Sequence, residues 1–271
     1  MPPAPAHPPD PSTLHHAFER NGPLDWGDNS LSTADIAGLY STQAARKSLR
    51  MLEEAVAVEP RITAQFLAAL PPTASPYQLT RRVKSPDSLA RKIHNAAVKR
   101  KRVPLDDVLR YTALTTSPSE LVKTTRHTID QLTDQGWRVA YAMQSYTDGS
   151  RYKGIHAYLA VAGVDRVELQ FHSPASAKVK ELTTRWYEIE RSARASDEER
   201  TAARQHCADL SATLWPPPGI ENLTMLGGRP VAVNNYSDSR QQLPPADRLQ
   251  ASARPAAEHP SVNKRNDGMM R

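Results

Sequence analysis

The sequence contains one cysteine, Cys207, among 271 residues. A single cysteine excludes an intramolecular disulfide, so we expect the chain to act in a reducing compartment. Long apolar runs are also missing, and none approaches the roughly 20 residues of a membrane-spanning helix. The N-terminal residues lack the basic and apolar regions of a secretory signal. These absences predict a protein with no membrane partner and a cytoplasmic site of action.

Aliphatic residues are scarce at both ends, where most of the 23 prolines are concentrated. Such segments bury too little apolar surface to fold alone, so residues 1–30 and 216–271 are predicted to be largely disordered. Residues 31–215 remain as one folded domain of ordinary size. Within it, strand-like and helix-like patterns alternate. They predict an α/β (α+β) fold, a mixed β-sheet with helices packed on it.

Cationic and hydroxyl side chains cluster where the first half of this domain passes from a strand-like segment to a helix. Arg82 and Lys84 are two residues apart, so on a strand they would project from the same face. Ser88 and Lys92 are spaced to share one face of a following helix that begins after Ser85. A helix N-terminus beside cations attracts phosphate. The segment therefore predicts an ATP-binding site.

Two carboxylates lie on separate predicted strands downstream of these cations. Asp107 opens one apolar strand, and Glu168 lies in another, between Val167 and Leu169. Magnesium used in phosphoryl chemistry is usually held by one or two carboxylates together with substrate phosphates. The pair predicts a Mg²⁺ site.

At this point the sequence resembles the RelA/SpoT-type (p)ppGpp synthetase domain. The pattern R-x-K-x-x-x-S-(I/L)-x-x-K is met by Arg82, Lys84, Ser88, Leu89 and Lys92, and the strand-opening Asp by Asp107. The pattern Y-x-(S/G)-(I/L)-H is met by Tyr152, Gly154, Ile155 and His156, and E-(I/V/L)-Q by Glu168, Leu169 and Gln170. The four motifs occur in the family's order.

The resemblance implies a synthetase fold of the nucleotidyltransferase type that transfers the β,γ-pyrophosphate of ATP to a nucleotide 3′-hydroxyl and releases AMP. It implies that Asp107 and Glu168 are catalytic and hold Mg²⁺. The implied ATP site consists of Arg82, Lys84, Ser88, Lys92 and Arg110. The implied acceptor site consists of Tyr152, whose ring stacks on the base in the family, with Lys153, His156, Gln170 and His172.

Three positions depart from the family pattern. Arg151 replaces a glycine, Thr112 replaces an arginine, and His172 replaces the arginine of the last motif. These departures resemble the divergent, stand-alone branch that includes toxins. In that branch the acceptor is GDP or GTP, ADP or ATP, or the 3′ end of tRNA, so all three remain open. A growth-inhibiting toxin would need an antitoxin or an immunity protein, and export as an effector is compatible with this reading.

Two other functions remain as alternatives to alarmone synthesis. The basic run of residues 99–102 and the basic tail would attract the phosphates of tRNA, which favours tRNA pyrophosphorylation. A non-catalytic basic module that binds nucleotide or RNA is the other alternative, against which the intact Asp107 and Glu168 argue. An ADP-ribosyltransferase using Arg110 and Glu168 is set aside because position 170 is Gln.

Overall fold

The computed structural model describes residues 8–27, 31–101, 106–192 and 194–237. The strands are β1 (Ala74–Tyr77), β2 (Leu109–Thr115), β3 (Arg138–Gln144), β4 (Ile155–Val161), β5 (Val164–His172), β6 (Met225–Leu226) and β7 (Arg229–Val233). They form one sheet in the order β1-β2-β5-β4-β3-β7-β6. The pairs β2–β5 and β3–β7 are parallel and the others antiparallel. The predicted mixed sheet is confirmed.

Helices surround this sheet and are named in chain order. They are α1 (Pro11–Glu19), α2 (Thr33–Leu39), α3 (Thr42–Ala68), α4 (Pro86–Val98), α5 (Leu121–Asp134), α6 (Pro174–Arg191) and α7 (Asp197–Ala212). Helix α4 begins after Ser85 with Pro86 in its first turn, as the sequence predicts. Within the described ranges, no helix is both long and apolar enough to cross a membrane.

The sheet has one apolar and one polar face because side chains alternate along each strand. On β5, Val167, Leu169 and Phe171 belong to the hydrophobic core, on the side where α3 and α5 pack. Glu168 and Gln170 project from the opposite face, and α6 contacts β5 and β2 there. The candidate site residues on the central strands lie on this polar face.

Both ends that the sequence predicts to be largely disordered contain a helix or strands within the described residues. Helix α1 lies within residues 1–30, and its Leu14 and Phe18 are buried in the core. Their i, i+4 spacing places both on one face of the helix. At the other end, β7 extends the sheet beyond residue 215 by pairing with β3. Residues 1–7 and 238–271 lie outside the described residues.

Candidate active site

Two lysines and an aspartate form an ionic cluster at the start of β2. Lys84 Nζ lies 2.6 Å from Asp107 Oδ2, and Lys92 Nζ lies 2.7 Å from Asp107 Oδ1. Lys84 precedes α4, Lys92 lies on it, and Asp107 precedes β2, so three elements supply the cluster. The three side chains are 13%, 25% and 17% exposed. The structure thus brings together three of the residues that the motifs indicated.

Burial and charge oppose each other within this cluster. Burial alone would raise the pKa of Asp107, but the ammonium groups of Lys84 and Lys92 outweigh it and lower that pKa to about 2. Burial lowers the pKa of Lys84, although Asp107 acts in the other direction. Asp107 is therefore ionised throughout the physiological range. The cluster has one negative and two positive groups, so it retains positive charge that can attract a phosphate.

Arg82, which the motifs assign to the ATP site, does not join this cluster. The residue ends a single 3₁₀ turn with backbone angles in the helical region, so the two-residue alternation of a strand does not apply to it. Its Nε lies 2.6 Å from Glu59 Oε1, and the two side chains are 2% and 0% exposed. Its NH groups donate to the carbonyl oxygens of Phe18, Gly22 and Pro23. Arg82 is a buried structural residue.

Glu168 lies on the polar face of β5, beside Arg110 in the register of the parallel pair β2–β5. Its Oε1 atom is 3.1 Å from His156 Nδ1 and accepts from the Tyr158 hydroxyl at 3.2 Å. Burial would raise the pKa of Glu168, but the hydrogen bond and charge of His156 lower it overall. The nearby charge of Asp107 acts to raise it. The two predicted catalytic carboxylates are therefore electrostatic neighbours.

Three predicted acceptor residues are joined by hydrogen bonds through the hydroxyl of Tyr152. The Tyr152 hydroxyl lies 2.6 Å from His156 Nε2 and 2.8 Å from His172 Nε2. His172 is fully buried, because the end of β5 lies beneath the first turn of α6, where Ser176 contacts its Nδ1 at 3.0 Å. Burial lowers the pKa of His172 well below its ordinary value, so the ring is neutral. In this structure the ring is enclosed by protein, and its acceptor role stays a prediction.

Lys153 is also placed away from an acceptor. Its Nζ donates to the carbonyl oxygen of Leu214 at 2.9 Å, and the side chain is buried. This bond ties the β3–β4 connection to the end of α7. Arg151 serves a similar purpose, since it contacts Glu190 on α6 and the carbonyl oxygen of Tyr236. Both residues hold the connection in place, and the acceptor role of Lys153 stays a prediction.

Other predicted residues border the site. Ser88 is half-buried on α4, one helical turn before Lys92. Arg110 is half-buried, and its Nε donates to the carbonyl oxygen of Arg81 at 3.1 Å. Gln170 follows Glu168 on the same face of β5 and accepts a hydrogen bond from Lys180. They keep their predicted roles as candidates.

Lys180 is one of two residues beside the site that the sequence analysis missed. Its Nζ lies 2.7 Å from Gln170 Oε1. Burial lowers the pKa of Lys180 to about 8, with Glu168 opposing and Arg110 adding to the decrease. One signal was available, because Ser176 and Lys180 are four apart and so share the face of α6 that covers the sheet. Tyr236, whose ring packs edge-on against Tyr152 at 5.7 Å, was hidden in a segment predicted to be disordered.

The donor set of this site suits magnesium. Mg²⁺ is usually held by one or two carboxylates, with waters and substrate phosphates completing its six oxygen ligands. Asp107, just before β2, and Glu168, on the adjacent strand β5, provide that number of carboxylates. Across the described ranges there is no group of three or more His, Cys, Asp or Glu side chains that could hold a metal. The residues thus fit an ion that arrives with a phosphate-bearing substrate.

No protein-family model and no curated protein sequence matches the chain. Among solved structures, small alarmone synthetase 1 from Bacillus subtilis bound to its product pppGpp is 12% identical, with 56% of this chain and 84% of that chain covered and a TM-score of 0.34. A GTP pyrophosphokinase family protein from Streptococcus pneumoniae is 13% identical, with 56% and 81% covered and a TM-score of 0.34.

The type VI effector Tas1, solved in complex with its immunity protein, is also similar. It is 17% identical, with 62% of this chain and 94% of that chain covered and a TM-score of 0.33. The proteins to which this chain is similar thus include a small alarmone synthetase, a GTP pyrophosphokinase family protein and a type VI effector. Because all three TM-scores are low, the function proposed below is argued from the geometry of the site.

Proposed function

We propose that the protein is a pyrophosphokinase that transfers the β,γ-pyrophosphate of ATP to a 3′-hydroxyl of a nucleotide. The observation that supports this most directly is the ionic cluster of Lys84, Lys92 and Asp107 beside Glu168. Two cations and two carboxylates carried by neighbouring elements of the sheet suit a polyphosphate and its magnesium ion. When bound, Mg²⁺ would neutralise phosphate charge and polarise the phosphorus that is attacked.

In the proposed reaction the acceptor oxygen attacks the β-phosphorus of ATP. The bond between that phosphorus and the oxygen bridging to the α-phosphate breaks, and AMP leaves. Lys84 and Lys92 exchange their contacts with Asp107 for contacts with the triphosphate, which frees the Asp107 oxygens to hold the ion. Glu168 shares the ion or accepts the hydroxyl proton. Lys180, with Arg110 near it, supplies positive charge on the side of the face where α6 crosses.

The proposal is tested by incubating the purified protein with ATP, Mg²⁺ and one acceptor at a time. The acceptors are GDP, GTP, ADP, ATP and deacylated tRNA, and release of AMP is followed. Release of AMP with a pyrophosphorylated acceptor supports the proposal, since ordinary phosphoryl transfer releases ADP. The chemistry is rejected if only ADP forms, or if ATP is bound without turnover across the panel, as a non-catalytic module would do.

A tRNA acceptor is a second candidate, favoured by one specific observation. Helix α4 carries Lys92 into the ionic cluster, and directly beyond its end Lys99, Arg100 and Lys101 are exposed. A polyanion such as tRNA that binds the ionic cluster could also contact these three basic residues, because they are separated from Lys92 by less than the length of α4. We also propose that the activity inhibits growth, which inducible expression in a bacterial host tests by comparing the wild type with Asp107→Asn. Equal growth of the two strains would reject that role.

A further inference from the structure

Four hydrogen bonds run without interruption from helix α6 to Glu168. Ser176 Oγ is 3.0 Å from His172 Nδ1, and His172 Nε2 is 2.8 Å from the Tyr152 hydroxyl. That hydroxyl is 2.6 Å from His156 Nε2, and His156 Nδ1 is 3.1 Å from Glu168 Oε1. We call these five residues the tyrosine–histidine chain.

Counting donors and acceptors gives this chain one direction when both imidazoles are neutral. A carboxylate only accepts, so His156 Nδ1 carries the hydrogen and its Nε2 has a lone pair. Tyr152 donates its single hydroxyl hydrogen to that lone pair. The Tyr152 oxygen must then accept from His172 Nε2–H. This leaves a lone pair on His172 Nδ1 facing Ser176 Oγ at 3.0 Å, which is nearer to that hydroxyl than its other acceptor, the Ser173 carbonyl oxygen at 3.2 Å.

We propose that Tyr152 is a positioning residue for Glu168: its hydroxyl joins the two histidines, fixes the tautomer of each, and thereby holds the Glu168 carboxylate for the reaction. This inference depends on the proposed function for the role of Glu168. It differs from the base-stacking role that the family resemblance implies, because here the hydroxyl of Tyr152, rather than its ring face, is the group that matters.

Gly154 gives independent support, since the backbone there is shaped around the same group. A Cβ atom at position 154 would lie 2.8 Å from the Tyr152 hydroxyl oxygen and 2.9 Å from His172 Cε1. These separations are shorter than van der Waals contact, so any side chain would displace Tyr152 or His172. The rings of His156 and His172 also pack edge-on against Tyr152, at 5.2 and 5.6 Å. Tyr152 is therefore held in its bridging position from several sides.

The tautomers can be measured without turnover by long-range ¹H–¹⁵N correlation spectra of histidine-labelled protein at mildly alkaline pH. The chain has nine histidines, so His156→Gln and His172→Gln variants assign the two signals of interest. We expect Nδ1–H on His156 and Nε2–H on His172. In Tyr152→Phe the Nε2 shifts of both rings should move. The opposite tautomer on His172, or unmoved shifts in Tyr152→Phe, would overturn the proposal.

Kinetics provide the second measurement. Removing a partner that orients a ligating or catalytic group typically costs about 10- to 100-fold in activity, so Tyr152→Phe should lower kcat by about that factor and leave the KM for ATP unchanged. Gly154→Ala should reproduce the loss, although it keeps every hydrogen-bonding group. Tyr187→Phe, an exposed tyrosine on α6, is the matched control and should retain full activity.

The two measurements separate the possible failures. Full kcat in a folded Tyr152→Phe protein would overturn the positioning role and favour stacking, which phenylalanine preserves. If Tyr152→Phe does not fold, Gly154→Ala replaces it in the test. Full kcat in a folded Gly154→Ala protein would then overturn the positioning role of Tyr152. Absence of AMP release from the wild type would reject the proposed function alone, because the spectra report the hydrogen bonds of the tyrosine–histidine chain in any case.

Discussion

Glu168 lies between two polar regions that differ in kind. On one side is the ionic cluster of Lys84, Lys92 and Asp107, which is partly exposed and bound by charge. On the other side are the remaining members of the tyrosine–histidine chain, which are largely buried and joined to one another by hydrogen bonds. A partly exposed ion pair readily exchanges partners when a substrate phosphate arrives, whereas an enclosed chain loses a bond if any member moves. The first region suits ligand exchange, and the second suits fixed geometry.

Arg82 and Lys84 provide a second contrast within one motif. They are two residues apart, yet Arg82 forms a buried ion pair with Glu59, while Lys84 belongs to the ionic cluster. The same cationic chemistry therefore stabilises the fold in one case and prepares a binding site in the other. Substitutions at each position separate stability from activity.

The largest expected effect is on stability, from Arg82→Ala. Removing one partner of a buried ion pair leaves an uncompensated charge and typically costs roughly 3–5 kcal/mol, so the free energy of unfolding should fall by about that amount. Urea denaturation measures it. The double variant Arg82→Met with Glu59→Met should recover much of the loss, because it removes both charges. A stable Arg82→Ala protein with weakened ATP binding would instead restore Arg82 to the ATP site.

The next largest effect is on catalysis, from Asp107→Asn. Loss of the carboxylate that would hold Mg²⁺ should lower kcat by at least about 10²-fold while the protein stays folded. Asp106→Asn is the matched control, since Asp106 pairs with Arg166 at 3.2 Å. We expect that variant to keep most of its activity. If the two variants are equally active in AMP release, Asp107 serves only to neutralise its lysines.

The pKa of Asp107 adds a pH dependence to the same cluster. Its folded value of about 2 is lower than its ordinary value of 3.8, so the unfolded chain binds more protons between these limits. The stabilisation from the cluster is therefore present above pH 4 and is lost as the pH falls towards 2. Comparing acid unfolding of the wild type with Asp107→Asn should show a shallower pH dependence in the variant. Identical curves would contradict the cluster's contribution to stability.

An intermediate effect is expected from Lys180. With a pKa of about 8, its positive charge is lost as the pH rises from 7 to 9. Loss of a charged hydrogen bond costs roughly 1.5–3 kcal/mol, so the KM for an anionic acceptor should rise about tenfold or more over this range. Lys180→Arg keeps its charge and should flatten the profile, while Lys180→Gln should show the high KM throughout. Parallel profiles in all three proteins would remove Lys180 from the acceptor site.

The smallest effect is expected from Lys101→Ala, at an exposed residue beyond the end of α4. Surface substitutions usually change stability by no more than about 0.5 kcal/mol, and reaction with a small nucleotide should be unchanged. Reaction with tRNA should weaken and become less sensitive to salt if this surface contacts phosphates. Lys123→Ala, at an exposed lysine on α5, is the control. Equal tRNA kinetics in both variants would count against the tRNA acceptor.

The sequence predicted best what depends on local spacing. Ser88 and Lys92 lie one turn apart on α4 as expected, and the two carboxylates precede or occupy neighbouring strands β2 and β5. The motifs therefore pointed to residues that lie close together in the structure, and their catalytic roles stay predictions. They also gave the mixed sheet, because strand and helix patterns alternate clearly along residues 31–215.

The sequence did not predict features of the site that depend on tertiary contacts. Arg82 matches a cationic motif, and only the fold shows that Glu59, 23 residues earlier, neutralises it. His172 ends a strand, and its burial depends on where α6 begins. The proline-rich N-terminal segment has few apolar residues, but Leu14 and Phe18 suffice because a core formed elsewhere covers them.

The contacts of Arg82 have a practical consequence for any shortened form of the protein. Its guanidinium donates to three carbonyl oxygens between residues 18 and 23, and Asn21 contacts Glu59 at 3.5 Å. A polypeptide starting at residue 31 would therefore keep every motif residue and yet lose the groups that enclose the Arg82–Glu59 pair. Water would reach that pair, and the turn that sets the backbone of Lys84 would loosen. The N-terminal segment thus belongs to the minimal folded unit on which the proposed ATP site depends, although it contributes no side chain to the ionic cluster.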